Sequence, residues 1–137
     1  MNIKQTFEMG KEPLLLMGLS LLGADILYTA GYPKFSVVIF PVFLALTAYF
    51  AHKYCRENTL GGTAIASVVI ANTAIIIEGI VLAILLFIST LLGFFPELTL
   101  EAIVVSTFET IVVGIALFSM ISALVGAATW VVVRKVL

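Results

Sequence analysis

Charge is what this sequence lacks most. Only 11% of its 137 residues are Asp, Glu, Lys or Arg, while 62% are hydrophobic, and the mean hydropathy is +1.23. A soluble domain ordinarily carries about 25% charged residues, so a water-soluble fold is excluded and an integral membrane protein is expected. The net charge of −1 leaves no basic footprint for nucleic acid. A single cysteine, Cys55, excludes an intrachain disulfide and a thiolate metal cluster. A single histidine, His52, excludes multi-His metal sites and bis-His haem ligation. Gly-rich phosphate loops, HExxH, GxSxG and CxxC are all missing. No connecting segment is long enough to hold a soluble domain, so neither catalysis nor a cofactor is expected.

What is present is apolar and segmented. Four runs stand out, at 14–31, 35–51, 60–92 and 98–133, and together they make a single four-helix membrane domain over residues 1–137. Each run must be helical, because the bilayer core cannot hydrate unpaired backbone groups. Pro13 suits the first turn of the first helix, and Gly31-Tyr32-Pro33 ends it. Ile3, Phe7 and the Lys4–Glu8 pair suggest a separate short interfacial helix ahead of Pro13, with a frayed tail as the alternative. Asp25 within the apolar stretch, and the want of a small-x-small cleavage site, argue for a retained helix rather than a signal peptide. Pro41 is expected to kink the second helix. The last two helices are unusually long: at 1.5 Å per residue they reach ~50 Å against a hydrocarbon core of ~30 Å. The surplus must tilt, project or break, with Gly79 and Gly114 as the candidate breaks.

Six of the seven basic residues fall in segments that a four-span chain places on one side: Lys4, Lys11, Lys53, Arg56, Arg134 and Lys135, against Lys34 on the other. The positive-inside rule then puts both termini in the cytoplasm, across a plasma (inner) membrane. Tyr28, Tyr32, Phe94 and Phe95 are expected at the outer interface, and Tyr49, Tyr54 and Trp130 at the inner one.

Three acids interrupt the runs. Glu78 and Glu109 begin segments related by an offset of 31, with six of ten aligned positions identical from Glu78–Phe87 to Glu109–Phe118. Counted from the outer turn, the two lie ~21 and ~17 Å deep, and Asp25 lies ~9 Å below Gly31. A carboxylate at mid-membrane costs roughly 2.5–3.5 kcal/mol by insertion scales, and no basic residue lies in any run at comparable depth. Small residues mark close helix contact. They share a stripe with each glutamate: Ser67, Ala71, Ala74 and Ser89 with Glu78, and Ala102, Ser106, Ala116 and Ala123 with Glu109. Both glutamates are therefore expected to face protein, and each other. Asn72, Thr73, Ser106 and Thr107 are the neighbouring polar groups able to support them, along with Ser119 and Ser122.

The expected function is a small transporter that moves protons or cations through Glu78 and Glu109, with Asp25 as an outer relay. Four helices enclose little volume, so a homo-oligomer, most simply a dimer, is expected. The alternative is an accessory subunit whose acids meet basic residues of a partner in a larger membrane complex. The bland reading of the acids is structural, a protonated Glu bonded to a backbone carbonyl or another helix for about 0.6–2 kcal/mol. The identity of any metal is open. His52 reads as a cation at a helix C-terminus, and Cys55 as an inert thiol or, less favourably, a lipidated one.

Overall fold

The computed structural model describes every residue except Met1, Pro33, Phe35 and Ser36. Among the described residues the fold is all-α: α1 (Ile3–Thr29), α2 (Ile39–Tyr54), α3 (Leu60–Leu91) and α4 (Leu100–Val131), the last running on through a π-helical turn at Val132–Val136. Two stretches, Leu60–Leu91 and Leu100–Val136, are long and apolar enough to cross a membrane.

Helix α1 differs from expectation. It is one continuous helix from Ile3, with Asn2 as its N-cap accepting from the Gln5 amide, and Pro13 lies inside it. The separate helix before Pro13 is thus corrected to the first turns of α1. A mid-helix proline sacrifices one backbone hydrogen bond, a loss that packed neighbours offset, and Pro13 is fully buried. Helix α2 spans Ile39–Tyr54 and so ends later than expected. Pro41 therefore sits in its first turn, where the missing N–H has no intrahelical partner to lose, and it is not a mid-helix kink. The expected start at Phe35, and Pro33 of the first turn, lie outside the described residues.

Helices α3 and α4 are unbroken at Gly79 and Gly114. Thr59 and Thr99 cap them, accepting from the amides of Gly62 and Ala102 at 3.1 Å each. The C-termini of α1 and α3 close alike. The Tyr32 amide donates to the Leu27 carbonyl and Gly31 to Tyr28, as Phe94 does to Ser89 and Gly93 to Thr90. Both are Schellman closures, with Gly31 at φ +92° and Gly93 at φ +84°.

Helices α3 and α4 form an antiparallel pair whose side chains interlock at close range. Gly79 lies under the Ile111 side chain, Gly114 under Ile75, and Gly126 against Ser67 and the Ala64 backbone. Helix α1 packs on α3 and α2 through a buried stripe of Thr6, Gly10, Pro13, Met17 and Ala24. The core joins Met17 to Phe43, Phe50 and Tyr54 of α2 and to Ala66, Ile70, Ala71, Ala74 and Ile75 of α3. Phe118 of α4 closes it, 4.6 Å from the Phe43 ring.

One end of the bundle gathers the start of α1, the 55–59 connection and the end of α4. Gln5 Nε2 donates to Glu57 at 3.0 Å, Trp130 Nε1 to the Asn58 carbonyl at 2.9 Å, and Arg134 Nη1 to the Arg56 carbonyl at 2.6 Å. Lys53 pairs with Glu12 at 3.6 Å and sits over the Tyr49 ring. Five of the six basic residues counted above lie in these segments, and the sixth, Lys53, is in the last turn of α2 beside them. Tyr54, expected at an interface, is instead buried, its hydroxyl 3.1 Å from Thr6 Oγ1. Cys55 is buried as well and donates to the His52 carbonyl, whereas His52 is exposed.

Candidate functional site

Glu78 lies on the face of α3 that also carries Ser67, Ala71 and Ala74, and all four side chains are buried. The stripe read from the sequence therefore faces protein on this helix, and it brings a carboxyl group with it. Glu78 is 6% exposed. The acid it meets is Asp25 of α1, which adjoins the buried Ala24 and reaches Glu78 within hydrogen-bonding contact. Glu78 Oε1 is buried and has no hydrogen-bond partner.

Glu109 is placed differently. The packed face of α4 runs through Ile103, Thr107, Ile111, Gly114, Phe118, Ser122 and Gly126. Ala102, Ser106, Glu109 and Ala116 lie on the other side of the helix and are exposed. The expectation that Glu109 faces protein, and Glu78, is corrected: within one chain the two do not meet. Their relative depth is nevertheless close. The pairs Ser67/Gly126, Asn72/Ser119, Ile75/Gly114 and Gly79/Ile111 define an antiparallel register that sets Glu109 level with about Val81, less than a turn (~5.4 Å) from Glu78. The offset-31 relation thus pairs a buried acid with an exposed one.

The supporting polar residues divide the same way. Asn72 and Ser119 bridge α3 and α4, with Nδ2 donating to Oγ at 3.0 Å and Oγ lying 3.2 Å from Oδ1. Thr73 donates to the Val69 carbonyl of its own helix at 2.7 Å. Thr107 is half-buried and turns its methyl toward Gly79. Ser106 is exposed, its carbonyl accepting from Thr110. Thr63 Oγ1 and Ser122 Oγ are buried and unpartnered.

Sequence reasoning missed a groove of about 470 Å³ between α1 and α3. Leu14, Leu15, Gly18, Leu19 and Leu22 form one wall, and Ala74, Ile77, Glu78 and Val81 the other, with Lys11 at one end. The signal was present in the spacing 11, 15, 18, 22 on one face of α1, but it reads equally as ordinary lipid-facing leucine. Neither family models, nor curated proteins, nor solved structures compared with the chain give a match.

Chemically, a contact between two carboxyl groups needs a proton on one of them, because a carboxylate only accepts. An acid pair that holds one proton and one negative charge is able to exchange the proton for another cation. Among the described residues no cluster of three or more His, Cys, Asp or Glu is assembled to hold a metal ion.

Proposed function

We propose that the chain is a multi-pass membrane protein with four spans and both termini cytoplasmic, and that it translocates protons or cations through Asp25 and Glu78. The observation that carries this reading is the contact between two acids from different helices, with one buried carboxyl oxygen left unpartnered. Buried polar atoms ordinarily have partners, and acids within spans mark proton and ion pathways. The pair replaces the Glu78–Glu109 couple expected from the sequence. In the proposed cycle the pair holds one proton, and a monovalent cation arriving from one side displaces it to that same side. At the other side a proton displaces the cation, so one cation crosses for each proton returned and charge balances.

The test is flux in proteoliposomes containing the full chain. Asp25→Asn and Glu78→Gln are each expected to abolish pH-gradient-driven cation uptake, with secondary structure unchanged by circular dichroism. Wild-type flux in the double variant overturns the proposal.

A second reading is favoured by Glu109. A carboxyl on an exposed face at that depth costs several kcal/mol if it meets lipid, and the small residues beside it allow close approach of another helix. As an accessory subunit, the chain would present Glu109 to a basic residue of a partner; as a homo-oligomer, it would present it to a second copy. Cross-linking through Ser106→Cys in a Cys55→Ser background separates the two. A product of twice the chain's mass supports self-association, and a product with a different protein supports the accessory role.

A further inference from the structure

We propose that the groove between α1 and α3 binds a long-chain organic cation, its ammonium group at Glu78 and its apolar tail along Leu14, Leu15, Leu19 and Leu22. The proposal rests on the carboxyl-pair reading above and names the class of cation that the pair takes.

Volume and lining come first. Small-molecule sites span about 300–1,000 Å³ and combine apolar walls with a few placed polar groups. This groove has about 470 Å³ and eight apolar or glycine positions, with Glu78 and Lys11 its two charged ones. Charge complementarity then selects the ligand. Glu78 is buried with an unpartnered oxygen, and the acid beside it brings no positive charge to it. The apolar stretches of this chain hold no Lys or Arg at that depth, so a positive charge other than a proton arrives there with a ligand.

A hard divalent ion fits poorly, because Ca²⁺ takes about six to eight oxygen ligands and two carboxyls beside leucine side chains do not supply them. A cation carrying its own hydrocarbon satisfies both features, since its head pairs with the acid and its tail replaces lipid on the leucines. Lys11 fixes the direction. It lies on the groove ~16 Å along the α1 axis from Leu22, so it repels an ammonium from its own end and leaves Glu78 as the seat of the head.

Gly18 supplies a clean probe. It lines the groove, and a Cβ added there meets nothing within 4 Å. Leucine at this position would extend from that open space into the groove, with both acids kept in the chain.

The experiment uses the full chain in lipid nanodiscs with three spin-labelled probes of equal length: a long-chain amine, an alcohol and a carboxylic acid. Electron paramagnetic resonance reads the motionally restricted fraction of each. The amine is expected to be restricted with about tenfold preference over the alcohol, the effect of one close charge pair. Glu78→Gln should remove the preference, and Gly18→Leu should lower restriction of the amine with both acids intact. Equal restriction of all three probes, or preference for the carboxylic acid at Lys11, overturns the proposal. Flux separates this from the site reading. If amine selection is absent while Asp25→Asn and Glu78→Gln still abolish cation flux, the groove assignment fails alone. If amine selection depends on Glu78 while flux ignores both acids, the groove stands and transport falls.

Discussion

A side chain on Gly126 has nowhere to go. Its Cβ would come within 2.6 Å of Ser67 Oγ and 3.2 Å of the Ala64 Cα, and backbone cannot swing aside as a flexible side chain can. Gly126→Val is therefore expected to destabilise the protein by about 1–3 kcal/mol, the usual cost of overpacking, read as a lower Tm in detergent. Gly18→Ala provides the contrast. The space is open and the change favours helix by up to about 1 kcal/mol, so its Tm should hold or rise. The difference between these glycines is not legible in sequence, where both sit in apolar helical runs. The same holds for the acids. Glu78 was placed correctly on the buried face because α3 carries one dominant small-residue stripe. Helix α4 carries two, one through Ala102, Ser106 and Ala116 beside Glu109 and one through Gly114, Ser119, Ser122 and Gly126, and it is the second that packs. Small residues show that another helix can come close; they do not say which helix.

The ends of the elements are governed by backbone chemistry, and this scale reads well from sequence. Helix α3 was expected over 60–92 and is observed at Leu60–Leu91, because a capping Thr59 and a terminal Gly93 mark its limits. Gly93 holds φ +84°, a conformation that costs a residue with a Cβ about 1–2 kcal/mol. Gly93→Ala is expected to lower stability by that amount and to make the turn before α4 more susceptible to proteolysis, while leaving the pairing of Asn72 with Ser119 in place. Limited digestion and thermal unfolding check both parts. Orientation of the elements was harder to read. Both faces of α4 are apolar, leaving almost no amphipathic asymmetry to reveal which one packs. Proline misled in the opposite sense: Pro13 and Pro41 each looked like a landmark, and each occupies the position expected of the other. Counting residues along separate helix axes sets Asp25 well above Glu78, because that measure omits tilt and side-chain reach.

For the whole molecule, six basic residues lie in or beside segments that hydrogen bonds draw together at one end. In the proposed topology that end is the cytoplasmic one, by the positive-inside rule. Cysteines introduced at Gln5 and Lys135, in a Cys55→Ser background, should be shielded from a membrane-impermeant maleimide added outside intact cells, while Lys34→Cys should react. The reverse pattern would overturn the orientation. Packing is as lopsided as charge. The buried residues of α3 all fall between Thr63 and Gly79, in the half nearest the joined segments, while Ile80, Ile84, Leu85, Ile88 and Leu91 beyond them are exposed. A bundle stitched at one end and unburdened at the other is built as tongs are: the joined end has the place of the pivot, the far ends of α1 and α3 that of the jaws, and the Asp25–Glu78 contact lies between those two arms.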